Sequence, residues 1–166
     1  MASWSDFAAA EPTLAAGIRA LLQQYGPGLA YLATVRPDGG PRVHPVSPVI
    51  THEGLYCFII NSPKRRDLEQ DGRYALHSFP PEENDDEAFL TGHATPVRNP
   101  RVVADLAVSL HASHDVDWRL FELSIDTATL CTHSPAEAPP LTPLPVVAPL
   151  TRTWRAELPR PLAAVS

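Results

Sequence analysis

Between residues 29 and 60 the chain reverses direction twice, with no room for a crossover helix, and this limits the folds open to it more than any other feature. Residues 29–35 are apolar and strand-compatible, and they run into Pro37-Asp38-Gly39-Gly40. Proline presets the first turn dihedral there and glycine supplies positive φ. Residues 42–50 return as a second strand, Glu53-Gly54 turns the chain again, and Leu55-Tyr56-Cys57-Phe58-Ile59-Ile60 is a continuously apolar third strand. Strands joined in meander order by tight turns make an antiparallel sheet, not a βαβ unit. The second strand is crowded by Pro41, Pro45 and Pro48. Proline cannot donate to a ladder, so that strand belongs at an edge or a bulge.

The flanking segments extend this sheet. Leu14, Ile18, Leu21, Leu22 and Tyr25 recur at helical spacing over residues 13–25, with Thr13 as a cap and Gly26-Pro27-Gly28 as a stop. An amphipathic helix with one stripe is expected to cover something larger. Residues 62–71 read as a short helix and residues 73–79 as a fourth strand. An acidic, proline-containing loop over 80–86 leads to a fifth strand over 87–97, with Gly92 in its interior. Asn99-Pro100 opens a second long helix striped by Val102, Val103, Leu106 and Leu110. Residues 120–125 and 128–132 are expected as two late strands about an Asp126-Thr127 turn, and residues 151–157 as a last strand. The proline- and alanine-rich residues 134–150 are expected to be extended. The pattern predicts a mainly β chain: one domain over residues 1–166, with a helical region over 1–26 and six or seven short strands in a closed or partly closed antiparallel barrel.

Composition narrows the function. In 166 residues, 44% are apolar and 19% charged, which suits a packed core and not a disordered chain. The formal net charge of -6 argues against bulk affinity for nucleic acid or an anionic membrane. No apolar run approaches the roughly 20 residues of a spanning helix, and the opening Met-Ala-Ser-Trp-Ser-Asp-Phe has no signal-peptide character. Cys57 and Cys131 are too few for a disulfide framework and are read as small buried hydrophobes. A soluble, cytoplasmic protein is the expectation.

The sharpest local signal is Asn61-Ser62-Pro63-Lys64-Arg65-Arg66-Asp67-Leu68, directly after the most apolar strand. Ser62 suits an N-cap and Pro63 the first helical position. Lys64, Arg65 and Arg66 then fall in the first turn, where cations oppose the helix dipole. Such a cluster is either a solvated basic turn or one side of an anion site, because a phosphate would satisfy both the cations and the free N–H groups. In Arg42-Val43-His44-Pro45, strand alternation sets Arg42 and His44 on one face and Val43 and Pro45 on the other. His111, His114, Asp115 and Asp117 are read as a solvated helix end and not a metal site. His77 and His93 are read as hydrogen-bonded strand histidines. GxSxG, HExxH and GxxxxGKS strings do not occur.

Taken together, Ala33-Thr34-Val35, the Asp38-Gly39 turn, Arg42-Val43-His44-Pro45-Val46, Ser62-Pro63-Lys64-Arg65-Arg66-Asp67-Leu68, Leu76-His77 and Phe89-Leu90-Thr91-Gly92-His93-Ala94 resemble the pyridoxamine 5'-phosphate oxidase-like family of split-barrel flavoproteins. The resemblance covers roughly residues 25–130 and rests on order and spacing, not on one stringent motif. It implies a six-stranded antiparallel FMN-binding split barrel, forming a homodimer with cofactor sites at the interface. It also implies FMN as cofactor, with a deazaflavin or haem as alternatives. Ser62 and Lys64 match the family's phosphate-binding positions, with Arg65 as helper. Arg42, Val43, His44 and Pro45 match the strand along the ring and ribityl chain, and Ile60 and Asn61 the end of the next strand. Pro63 stands where true pyridoxamine phosphate oxidases carry an arginine, and their substrate-binding histidine and arginine set is not evident here. A flavin-dependent oxidoreductase with another substrate is therefore expected, with a deazaflavin-dependent reductase or a non-catalytic flavin- or haem-binding protein as alternatives. No catalytic residue is assigned.

Overall fold

A strand that breaks once, at Ser47, holds the key to the architecture. The computed structural model describes residues 1–82, 84–109, 112–113, 115–133 and 149–157. Its elements in chain order are α1 (Trp4–Ala10), α2 (Pro12–Gln23), β1 (Ala30–Val35), β2 (Pro41–Val46), β3 (Pro48–Ile50), β4 (Leu55–Ile60), α3 (Pro63–Gln70), β5 (Arg73–Ser78), β6 (Glu87–Pro96), α4 (Pro100–Ser109), β7 (Trp118–Thr132) and β8 (Leu150–Arg155). All pairings are antiparallel, and the order across the sheet is β2-β1-β5-β6-β7-β4-β3, with β8 pairing β7 off this path. The two outermost strands, β2 and β3, are consecutive in sequence and separated by Ser47 alone. The sheet must therefore curl until its edges meet.

Of the eight strands, β2 and β3 are halves of one broken strand and β8 lies outside the ring. The eight strands exceed the six expected, and six remain only when the two halves are taken as one and β8 is set aside. The second strand thus differs from the single run expected over 42–50. Pro45 and Pro48 cannot donate ladder bonds on either side of the break, so the strand leaves one edge and joins the other.

Three other expectations are corrected. Residues 118–132 form one strand, not two about a turn. Thr91 pairs with Thr127 while Gly92 pairs with Ile125, so Asp126 is an extra residue on β7, a β-bulge. Ala2 bridges Ile125 beside it and completes the local hydrogen bonds. The bulge needs Gly92, since a Cβ there would lie 1.8 Å from the Ser124 carbonyl oxygen. The second correction is α1, which composition did not reveal. Its start is a capping box: the Ser3 hydroxyl accepts from the Asp6 N–H, and the Asp6 carboxylate accepts from the Ser3 N–H. The next helix begins at Pro12, with Glu11 and not Thr13 at the cap position, and it ends at Gln23, leaving Tyr25 exposed. Leu110 and residues 134–148 lie outside the described residues.

The core is legible in the strand alternation. Leu32, Leu55, Ile59, Leu76, Leu90, Phe121, Leu123 and Ile125 are all fully buried. Trp4 and Phe7 from α1 and Leu14, Ile18 and Leu22 from α2 join them in one cluster, and α2 packs on β6 and β7. At about 1.5–3 kcal/mol for each large apolar side chain, this stripe ties the N-terminal helices firmly to the barrel. The short α3 packs against β1, β4 and β6. Its placement there builds the site.

Candidate functional site

The first turn of α3 departs from ideal capping, and the departure leaves donors free. Ser62 is extended, at φ -161°, and occupies the cap position. Its hydroxyl, expected to cap the helix, instead donates to the Ile60 carbonyl at 2.9 Å. The Arg65 and Arg66 N–H groups reach the Ser62 carbonyl at 3.1 and 3.3 Å, and Asn61 N–H reaches the Asp117 carbonyl at 2.8 Å. The N–H groups of Ser62 and Lys64 have no acceptor among the described residues. Gly72, at φ 76°, ends the segment after α3, and a Cβ there would meet the His93 ring.

The three cations of this turn have different fates. Arg65 is buried and makes a bidentate pair with Asp117, at 2.9 and 3.0 Å. Hydrogen bonding between them raises the arginine above its ordinary value and holds the Asp117 carboxyl below its own. Arg66 is exposed. Lys64 is half-buried, and its ammonium donates to the Pro45 carbonyl at 3.2 Å. It has no carboxylate partner among the described residues. Burial pushes its pKa below the ordinary lysine value.

Opposite α3, strand β2 divides its residues as alternation predicts. His44 pairs with Leu32 and Arg42 with Thr34, and both β1 partners are buried, so Arg42 and His44 face inward. Val43, 59% exposed, and Pro45 face outward. Arg42 Nε donates to Asp67 Oδ2 at 2.8 Å, and the Thr34 hydroxyl donates to the same oxygen at 2.8 Å. Asp67 is only 3% exposed. The His44 Nε2 is buried and unpartnered among the described residues. Its pKa is held below the ordinary histidine value by desolvation first, then by the Lys64 and Arg42 charges, with Asp67 opposing.

Between the end of β2, β3 and β4 lies a cavity of about 440 Å³. Pro45, Val46, Val49, Phe58 and Ile60 give it apolar walls, and Ser47 and Lys64 supply its polar groups. Phe58 is held edge-on to Trp118, with ring centroids 4.8 Å apart. Of the residues singled out from the sequence, Pro45, Ile60 and Lys64 line this cavity; Asn61 and Ser62 sit beside it at the start of α3. Val43 shares the outward face of β2 with Pro45, Arg42 and His44 occupy the opposite face, and Arg65 is turned to Asp117.

Sequence reading missed Phe58, Ser47, Asp67 and Asp117 as parts of this region. The continuously apolar β4 carries no alternation that would mark Phe58 for the cavity, and nothing in the sequence announces that Asp67 and Asp117 find the two arginines. His77 and His93 make hydrogen-bonding contacts within the sheet region, as their strand positions predict. His77 contacts Glu87 at 3.2 Å and the Ser78 carbonyl at 2.7 Å, and His93 contacts the Asp71 carbonyl at 3.1 Å. No metal-binding cluster occurs among the described residues, and His111 and His114 lie outside them. Cys57 and Cys131 are free and buried, and burial pushes the Cys57 thiol up to about 12.

The arrangement joins an apolar cavity to a helix start that carries a cation. The cavity is within the usual range for small-molecule sites, roughly 300–1,000 Å³. A cation without a carboxylate and two free N–H groups at a helix start are the donors a phosphate uses.

No family model matches the chain, and no curated protein matches it. Solved structures do. A protein of unknown function from Agrobacterium tumefaciens is 23% identical, with TM-score 0.51 over 61% of this chain. This chain spans only 50% of that protein's length. The haem storage protein HutZ from Vibrio cholerae is 19% identical, with TM-score 0.53 over 70% of this chain and 89% of its own. A candidate pyridoxamine 5'-phosphate oxidase from Listeria innocua is 13% identical, with TM-score 0.55 over 68% of this chain and 94% of its own. The chain therefore has the pyridoxamine 5'-phosphate oxidase-like split-barrel fold. At these identities the likeness carries the fold and not an activity.

Proposed function

We propose that this chain binds a flavin-type cofactor by its phosphate at Ser62 and Lys64, with FMN the preferred cofactor, and acts as a flavin-dependent oxidoreductase. The observation that carries the reading is the Lys64 ammonium, without a carboxylate partner among the described residues, at the wall of an apolar cavity of about 440 Å³.

In this reading Lys64 neutralises the phosphate, and the Ser62 and Lys64 N–H groups donate to its oxygens. Pro45, Phe58 and Ile60 offer apolar surface to the ring and keep water from it, with Val43 extending the same face of β2. Asn61 holds the strand end through its N–H bond to the Asp117 carbonyl. Arg65 contributes from behind, by locking α3 to Asp117. His44 acts on the cofactor only through the field and backbone of β2. A bound flavin supplies the electron-transfer chemistry, while the protein supplies position, charge and exclusion of water.

The proposal includes a homodimer that covers the outer face of β1 and β2, where Tyr31 is 38% and Val43 59% exposed, together with Ile60, 52% exposed, on β4. The two free cysteines support a reducing, cytoplasmic setting. No described helix is long and apolar enough to cross a membrane.

The test begins with the absorbance spectrum of purified protein, which separates flavin, deazaflavin and haem. FMN and riboflavin affinities of wild type and Lys64→Glu follow. Wild type is expected to prefer FMN, and Lys64→Glu to remove that preference while leaving riboflavin binding nearly unchanged. A lost contact of this kind corresponds to roughly 2–3 kcal/mol before the new repulsion. Equal binding of FMN and riboflavin by wild type would falsify the phosphate site. Reduction of the holoprotein by a nicotinamide donor distinguishes the oxidoreductase from a carrier.

A further inference from the structure

We infer that Arg42 is a positioning residue: with Thr34 it meets the buried Asp67 in a brace that sets α3, and hence Lys64, against β1 and β2. The family resemblance puts Arg42 on the strand along the ring and ribityl chain; the inference gives it a task through α3, and its ligand half rests on the phosphate reading above.

Two observations carry it. The Arg42 guanidinium donates from Nε to Asp67 Oδ2 at 2.8 Å, and the carboxylate it meets is 3% exposed. The same oxygen accepts the Thr34 hydroxyl at 2.8 Å, so one atom on α3 gathers a donor from each of β1 and β2. The pair holds the guanidinium on a buried carboxylate through Nε, so moving α3 away from β2 would leave an uncompensated charge in the core. Asp117 draws Arg65 away from the cavity on the other side of the helix. The two pairs staple α3 at both flanks, and Lys64 is left between them to face the ligand. The arginines determine where the helix sits; the lysine determines what it binds.

The test is a cycle of full-length variants: Arg42→Met, Asp67→Asn, and the two together. The carboxamide introduced by Asp67→Asn keeps an acceptor for Thr34 while losing the charge, so the double variant removes both charges without orphaning the hydroxyl. Arg42→Met alone leaves Asp67 buried and unpaired, and is expected to lower Tm by roughly 6 °C or more. The double variant is expected to recover at least half of that loss. Arg42→Met alone is also expected to weaken FMN more than riboflavin, because α3 and Lys64 lose their anchor. The double variant, still tied to Thr34 by the carboxamide, is expected to return to within about threefold of wild type.

Two results overturn the inference. One is a Tm cycle that is additive, with no recovery in the double variant. The other is a double variant that loses about 30-fold or more in FMN affinity with riboflavin unchanged, which would make Arg42 a direct phosphate ligand. If wild type itself shows no preference for FMN, the phosphate reading fails on its own, and the Tm cycle still decides whether the brace exists.

Discussion

At the scale of single residues, His44 shows how placement converts a strand residue into a pH-dependent one. Alternation puts it on the inward face of β2, and α3 then brings Lys64 and Asp67 beside it, with Arg42 on its own strand. Desolvation, then the two cations, hold its pKa below the ordinary 6.5. The folded protein therefore resists protonating it, while the unfolded chain does so near 6.5. Between the folded pKa and about 6.5 the unfolded state binds more protons, so stability rises with pH across that window. The contribution is complete above it and is lost as pH falls through the folded pKa. Tm should accordingly drop as pH falls from 7 to 5, and His44→Gln should drop less over the same range. Parallel curves for the two proteins would remove His44 from this role. The inward direction of His44 is readable from the sequence, but the unpartnered Nε2 is not, because its neighbours come from another element.

At the scale of elements, helix α3 and strand β7 mark the two ends of legibility. Ser62-Pro63 announces a helix start by local chemistry alone, and α3 begins there. Its Ser62 hydroxyl goes to the Ile60 carbonyl instead of the helix, a choice made by the strand it leaves. The long β7 reads as two strands in the sequence because Asp126-Thr127 has turn composition. Pairing with β6 along the whole length overrides that preference, and the surplus residue becomes a bulge. The bulge predicts an intolerant position. A methyl group at Gly92 would sit 1.8 Å from the Ser124 carbonyl oxygen, which is backbone and cannot swing aside. Gly92→Ala should therefore cost about 2–3 kcal/mol, read as a lower urea midpoint, although alanine is otherwise a mild change. An unchanged midpoint would mean that β6 and β7 can separate there at little cost.

At the scale of the whole molecule, the barrel closes by chain connectivity between β2 and β3, and helices cover only part of its outer surface. Val43, Tyr31 and Ile60 remain exposed near the cavity that holds Lys64. Apolar surface of this kind favours a partner, and a second copy would cover it and enclose the cavity at once. Sedimentation at micromolar concentration should give a dimer, and Val43→Asp should shift it toward monomer with Tm little changed, since Val43 is no part of the core. A wild-type monomer at that concentration would count against both the dimer and a cofactor site at its interface.

By itself, the sequence determined what depends on near neighbours along the chain. The meander from β1 to β4, the tight turn at Pro37-Asp38-Gly39, the start of α3 and the two faces of β2 all follow from turn chemistry and strand period. The prolines even marked the strand that must change edges. Only the tertiary structure decided which charges meet. Asp67 lies 25 residues from Arg42 in sequence, and Asp117 lies 52 from Arg65. An ion pair at such separation leaves no periodicity to read, because it exists only after the barrel has curled and brought α3 between β2 and the start of β7. Three adjacent cations, alike in sequence, thereby became a buried staple, an exposed side chain and the lysine that faces the cavity.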